Sequence, residues 1–314
     1  MQQKVLSYIQ QHRLLIPEQP VLVACSGGAD SVALLHILLQ AGYTCTALHC
    51  NFHLRGEEST RDERFITELC QQWNCPIRVQ HFDTTAYASQ HKLSIEMAAR
   101  ELRYTWFETV RQETQAQAIA VAHHEDDNIE TALLNLVRGT GIQGLTGMRP
   151  QNGYVVRPLL CVKRTDIEAY LQENHIAYVT DSTNLETDYT RNKIRHQLIP
   201  MLSSINPSFE QVMPTNIKNF RAVERIYARY VAQQKKIWYQ EKEDGIVINL
   251  SGLQEQLEAE TLLYEWIKPF KIHPAEVGKI LHAQTGKRFE NKHCIMQVKR
   301  SPVKGNKILI INKL

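Results

Sequence analysis

No run of about 18 apolar residues occurs in the chain, so no stretch of it reads as a helix that could cross a bilayer. Met1-Gln2-Gln3-Lys4 opens a short amphipathic segment and lacks the layout of a signal peptide, so a cytoplasmic location is expected. Seven cysteines stand at positions 25, 45, 50, 70, 75, 161 and 294 with no CxxC among them. That spacing offers no zinc ribbon, redox pair or iron–sulfur loop, and reduced, structural thiols are expected. Internal repeats and low-complexity tracts are missing, which leaves out solenoids and disordered arms. The phosphate-binding patterns GxxxxGK[ST] and GxGxxG are missing as well.

What is present is globular: 314 residues, 43% hydrophobic, enough for a sizeable core and two domains. Charge is unevenly spread. Residues 1–210 hold 18 Lys and Arg against 23 Asp and Glu, and residues 211–314 hold 18 against 10. A basic module joined to a mildly acidic one suits a polyanionic partner for the C-terminal part, although a solvated basic face gives the same count.

The chain alternates strand and helix from residue 21 onward. Apolar, β-rich strands are expected at Val21–Cys25, Thr44–Cys50, Ile77–Phe82 and Ala118–His123, with helices at Val32–Gln40, Glu58–Trp73, Ile95–Glu113 and Asp126–Arg138 between and after them. Such alternation predicts a doubly wound, mostly parallel α/β sheet with ligands bound outside the strands' carboxyl ends. Beyond it, Asp181-Ser182-Thr183-Asn184 reads as a turn and Thr190–Leu202 as a helix running until Pro200. A long helix over residues 208–241 then leads into a smaller, mainly helical domain. Strand-like segments there are Ile246–Leu250 and Lys307–Ile311. The expected boundary is 1–207 and 208–314.

Two clusters stand out for chemistry. The first is Ser26-Gly27-Gly28-Ala29-Asp30-Ser31, between the first strand and its helix. Adjacent glycines let backbone N–H groups converge on an anion at a helix N-terminus, so the turn reads as a phosphate cradle. With no lysine in it, the phosphate charge falls to Mg²⁺ held by Asp30 and the phosphates. An ordinary turn capped by Ser26 or Asp30 is the alternative. The second cluster is His123-His124-Glu125-Asp126-Asp127-Asn128-Ile129-Glu130. Asp127 and Glu130, three apart on one helical face, are able to converge on one cation, an ammonium or Mg²⁺, with His123 as proton acceptor or charge stabiliser. Capping of the helix by acidic residues is the plainer account. His49 and His53 give only a weak metal spacing. The pairs Arg100 with Arg103 and Arg191 with Arg195 suit either phosphate or carboxylate partners.

With SGGADS at residues 26–31, the sequence resembles the PP-loop ATP pyrophosphatases, whose signature is SGGxDS. The stretches HCNFHLRGEES, SIEMAARELRY, AHHEDDNIETALLNLVRGTGIQGLTGM and DSTNLETDYTRNKIRHQLIPML, spread over most of residues 20–207, resemble the tRNA(Ile)-lysidine synthase family. The resemblance implies the adenine nucleotide alpha hydrolase-like fold and a cytoplasmic ligase that forms a C–N bond. ATP, with Mg²⁺, adenylates the C2 oxygen of the wobble cytidine of CAU-anticodon tRNA(Ile), and the ε-amine of free L-lysine then displaces AMP to give lysidine. It further implies that Ser26, Gly27, Gly28, Ala29, Asp30 and Ser31 bind ATP. Arg103, His123, Asp127, Glu130 and Arg195, with Asp30, then line the lysine and adenylate site, and the basic C-terminal part contacts tRNA. A PP-loop tRNA thiolase and a non-catalytic nucleotide-sensing RNA-binding protein are the alternatives. The first wants cysteines arranged for sulfur delivery, and the second wants a decayed site.

Overall fold

The structure is a computed structural model describing residues 1–180, 189–243, 245–302 and 305–314, the side chain of Tyr189 excepted. The expected turn at Asp181–Asn184 lies outside the described residues. The chain forms two compact units, Met1–Phe220 and Arg221–Leu314.

In the first unit, α1 (Gln2–His12) precedes β1 (Val21–Ala24), α2 (Ala29–Gln40), β2 (Cys45–Asn51), α3 (Glu57–Gln72) and β3 (Ile77–His81). Then come α4 (Thr84–His91), α5 (Ile95–Thr114), β4 (Ala118–Ala120), α6 (Glu125–Arg138) and α7 (Ile142–Leu145). The hairpin β5 (Gln151–Asn152) and β6 (Val155–Val156) and the helix α8 (Arg164–Glu173) follow. The sheet order is β3-β2-β1-β4-β6-β5, parallel except for β5 against β6. The chain winds outward from β1 to β3 and then crosses to β4 on the other side of β1. That reversal opens a crevice beyond the carboxyl ends of β1 and β4.

Strand alternation builds both layers. Val21 and Val23 enter one core with the almost wholly buried α2, including Leu34, Leu35, Ile37 and Leu38. Leu22, one residue out of phase, joins Leu48, Phe107, Val110 and Ile119 on the opposite face. This is the period-two logic of a sheet covered on both sides.

After the undescribed stretch come α9 (Tyr189–Lys193), a π-helical turn at Ile194–Leu198 and α10 (Ile199–Ile205). Pro200 therefore does not end the helix, contrary to the sequence reading. The backbone stays helical through Leu198 (φ −72°, ψ −47°) and Ile199 (φ −61°, ψ −47°), and Pro200 follows the π-helical turn directly. Ile194 and Ile217 pack with Ile129 and Leu133 of α6 in a separate small core.

The helix α11 (Phe209–Trp238) runs from the first unit into the second. The second unit adds β7 (Tyr239–Lys242), β8 (Gly245–Asn249), α12 (Leu250–Gln254), α13 (Ala259–Ile267), α14 (Val277–Leu281), β9 (Arg288–Glu290), β10 (Cys294–Arg300) and β11 (Lys307–Lys313). The expected helices are joined by a five-stranded antiparallel sheet, order β7-β8-β11-β10-β9, of which the sequence reading anticipated two strands. Its buried pairs are in register: Met296 opposite Ile311, Val298 opposite Leu309, and Leu309 opposite Ile248.

Candidate active site

The turn after β1 is shaped by its two serines. Ser26 N–H donates to Ser31 Oγ (3.2 Å), Gly28 N–H donates to Ser26 Oγ (3.3 Å), and the Ser31 hydroxyl donates to Gly28 O (2.9 Å). Gly27 has φ +93°, and a Cβ there would sit 3.1 Å from Val179 Cγ2. The N-cap of α2 is Gly28, not Ser26 or Asp30. Because glycine brings no side-chain acceptor, the N–H groups of Ala29, Asp30 and Ser31 keep the unsatisfied donors of a first helical turn. The turn opens on a cavity of about 470 Å³ beyond the strand ends, lined by Ser26, Gly28, Asp30, Arg103, His123 and Asp127 among others.

Across the crevice, α6 begins at His124, a buried imidazole at the centre of three carboxylates. Its Nδ1 lies 3.0 Å from Asp126 Oδ2, and its Nε2 lies 3.5 Å from Asp127 Oδ2 and 3.9 Å from Asp30 Oδ2. Burial opposes its charge, but the hydrogen bond to Asp126 and the fields of Asp127 and Asp30 outweigh burial, and its pKa is raised. Asp127 also caps the helix, accepting from His124 N–H at 3.1 Å. Asp127 thus caps α6 and also lines the cavity.

His123 behaves differently. Burial lowers its pKa to about 4, so it is neutral near pH 7, and its buried Nδ1 has no hydrogen-bond partner among the described residues. Asp30 pairs through Oδ2 with Arg164 Nη1 at 2.6 Å, while its Oδ1 is buried without a partner among the described residues. Burial raises the Asp30 pKa against the lowering influence of His124 and Arg164.

Asp127 and Glu130 do converge on one cation, and it is Arg195. The guanidinium Nη2 is 3.5 Å from Asp127 Oδ1, and it grips Glu130 with two hydrogen bonds, Nε to Oε1 at 2.5 Å and Nη2 to Oε2 at 3.1 Å. Arg191 Nε stands 3.5 Å from the same carboxylate. Glu130 is 1% exposed and is not among the cavity-lining residues, nor is Arg195. Arg100 and Arg103 instead face the cavity, over the rings of Tyr104 (5.0 Å) and Phe52 (5.2 Å). Of the two histidines with metal-like spacing, His49 uses Nδ1 on Cys25 O (2.9 Å) and His53 uses Nε2 on His81 (2.9 Å).

The structure thus brings Ser26, Gly28, Ala29, Asp30, Ser31, Arg103, His123 and Asp127 to one cavity, with Glu130 and Arg195 behind Asp127 and Gly27 in the turn itself. Sequence reasoning missed Arg164 and did not separate His124 from His123. A lone arginine opening a distant helix carries no spacing signal. The adjacent histidines were visible, but the opposite directions of their pKa shifts follow only from the carboxylates around His124.

Residues 1–202 match the PP-loop domain family, and residues 241–300 match the TilS substrate binding domain. The tRNA(Ile)-lysidine synthase of Bacteroides thetaiotaomicron is 49% identical over 295 residues, 93% of this chain and 68% of that protein. The chain belongs to the tRNA(Ile)-lysidine synthase family of PP-loop ligases. The synthase of Parabacteroides distasonis is 49% identical over 285 residues, 90% of this chain and 64% of that protein. This chain therefore spans about two thirds of the length of these relatives. A U34-tRNA thiolase from Methanococcus maripaludis, solved with its 4Fe–4S cluster, shares the fold alone: TM-score 0.59 at 14% identity, over 71% of this chain and 76% of that one. All seven cysteines of the present chain are free, and no described helix is long and apolar enough to cross a membrane. Family membership implies ATP as the nucleotide.

Proposed function

We propose that the chain makes lysidine: it adenylates the C2 oxygen of the wobble cytidine in CAU-anticodon tRNA(Ile) and then joins the ε-amine of L-lysine to C2. The observation that carries the reading is that the open N-terminus of α2 and the Asp127 carboxylate share one cavity, so a phosphate cradle and a holder for an ammonium stand together. In the first step the C2 oxygen bonds to the α-phosphorus and pyrophosphate leaves with the electron pair. In the second the amine bonds to C2 and the C2–O bond breaks, releasing AMP. Adenylation turns a poor leaving group into a good one.

The N–H groups of Ala29, Asp30 and Ser31 bind phosphate oxygens. The Asp30 Oδ1 atom, buried and unpartnered among the described residues, fits a Mg²⁺ ion that keeps most of its ligands as phosphates and water. That ion, when bound, neutralises phosphate charge. Asp127 orients the lysine ammonium, and Glu130 acts through Arg195, which it holds beside Asp127. Free lysine's amine, with a pKa near ~10.4, attacks only after losing a proton. Neutral His123 accepts a hydrogen bond at its open Nδ1 from the bound substrates. An anticodon loop presents its base already unpaired, so little unstacking is required. The basic C-terminal unit grips the tRNA backbone.

The test is product release. With ATP and tRNA alone the chain should release pyrophosphate, and adding lysine should release AMP. No pyrophosphate would favour a binding module, and dependence on a sulfur donor would favour a thiolase.

A further inference from the structure

The glycine turn cradles phosphate without a lysine of its own, and an ATP polyphosphate there would also face the carboxylate of Asp30. We propose that Arg164 replaces the absent lysine: its guanidinium binds the terminal phosphates of ATP, the part that leaves as pyrophosphate. The proposal rests on the reading of this cavity as the ATP site.

Four observations carry it. Arg164 lines the cavity together with Ser26, Gly28, Ala29 and Ser31. Its Nη1 lies 2.6 Å from Asp30 Oδ2, and Asp30 is the second residue of α2, so the guanidinium stands beside the open N–H donors of that helix. The side chain is anchored, because Arg164 N–H donates to Asp126 Oδ2 (2.8 Å) and Nε donates to Glu168 Oε1 (2.8 Å). Nη2 has no partner among the described residues, and the side chain is 38% exposed. A phosphate can therefore take Nη2 while Nη1 stays on Asp30. Of the other cavity arginines, Arg55 stands 3.2 Å from Asp62, and Arg100 and Arg103 lie over the rings of Tyr104 and Phe52.

The chemistry suits the residue. A guanidinium is charged at every working pH, and its planar fork matches phosphate oxygens. As the nucleobase oxygen bonds to the α-phosphorus, the bond from that phosphorus to the bridging oxygen breaks and the electron pair stays on pyrophosphate. A cation already fixed beside the leaving group stabilises that charge without rearranging.

Calorimetric titration of the full chain with ATP, inorganic pyrophosphate and AMP, each with Mg²⁺, tests this. Arg164→Gln should weaken pyrophosphate and ATP binding by about 10- to 100-fold and leave AMP within about twofold, with Arg164→Lys recovering much of the loss. Unchanged pyrophosphate and ATP affinity in Arg164→Gln overturns the proposal. So does an equal loss of AMP, which would mean that Arg164 only shapes the α2 turn through Asp30. A wild-type chain that binds none of the three overturns the ATP-site reading and this proposal with it, so the two failures are distinguishable.

Discussion

Glu130 and Arg195, 65 residues apart in sequence, meet as a two-pronged ion pair in which the carboxylate is buried and the guanidinium remains partly exposed. Burial raises the Glu130 pKa, while the hydrogen bonds and charge of Arg195 and the field of Arg191 hold it down. The pair takes up the Glu130 carboxylate and leaves Asp127, of these two acids, as the one that lines the cavity.

Removing one partner strands the other. Arg195→Gln should lower the unfolding free energy by about 1–3 kcal/mol, less than a fully buried pair because the guanidinium is partly solvated. Adding Glu130→Gln should restore part of it. Urea denaturation of both single variants and the double variant measures the coupling, and a coupling below about 0.5 kcal/mol would show that the pair contributes little.

Asp127 and Glu130 should separate kinetically. Asp127→Asn should keep pyrophosphate release and slow lysine-dependent AMP release by at least about tenfold, so adenylated tRNA accumulates in a single turnover. Normal lysine transfer by this variant would remove Asp127 from the lysine site.

Gly27→Ala should destabilise the chain by about 1–2 kcal/mol through its positive φ, and weaken ATP binding because the new Cβ meets Val179. Gly42→Ala is the comparison, with φ +79° and no atom within 4 Å of the added Cβ. It should show a similar thermal shift with ATP affinity intact; equal ATP affinities in both variants would count against the cradle.

His123 is held neutral by burial, with its pKa lowered to about 4, whereas the unfolded chain takes up the proton near pH ~6.5. Its contribution to stability is complete above that value and falls as pH drops from ~6.5 toward ~4, by up to about 1.4 kcal/mol per pH unit. His124, with a raised pKa, works in the opposite sense, favouring the fold below its unfolded value and losing that contribution as pH rises. The difference between wild type and His123→Asn, followed by denaturation across pH 4–7, isolates the His123 part. A pH-independent difference would mean that His123 titrates normally.

Residues 287–313 carry eight Lys and Arg against one acid, Glu290. Binding of tRNA should therefore weaken steeply with salt, and Lys299→Glu with Arg300→Glu, both exposed on β10, should flatten the slope of log K against log salt by about 1–2. Affinity that persists unchanged at high salt would remove the backbone-contact role.

The parallel sheet was legible because its strands are short β-rich runs separated by helical patterns, and the strand-to-helix turn at Ser26–Ser31 because two adjacent glycines interrupt the apolar pattern there. The helix α4 escaped notice: it buries only Thr84 and Ala88 and so shows no apolar stripe. The strands β5 and β6 have two residues each, too few for any alternation. In β10, Cys294, Met296 and Val298 do alternate, but cysteine and methionine are weak strand signals beside the β-branched runs of β8 and β11. Within the site, Asp30, His123 and Asp127 were legible as motif positions. That Glu130 faces Arg195 and that Arg164 faces Asp30 were not, since both are contacts between distant elements that spacing does not encode.

The π-helical turn at Ile194–Leu198 places Arg195 inside a wide stretch of backbone, one residue looser than an α-helix allows. Deleting a single residue between Arg195 and Ile199 would let the turn relax to ordinary α-helix while keeping both arginines. The bulge already absorbs that residue, so α9 and α10 would keep close to their present phase on either side of it. What would change is the aim of the side chains within the turn, Arg195 among them, while Leu198 and Ile199 kept their apolar cluster. The spare residue is thus a local device, and removing it would act on the carboxylates of α6 without disturbing the core behind them.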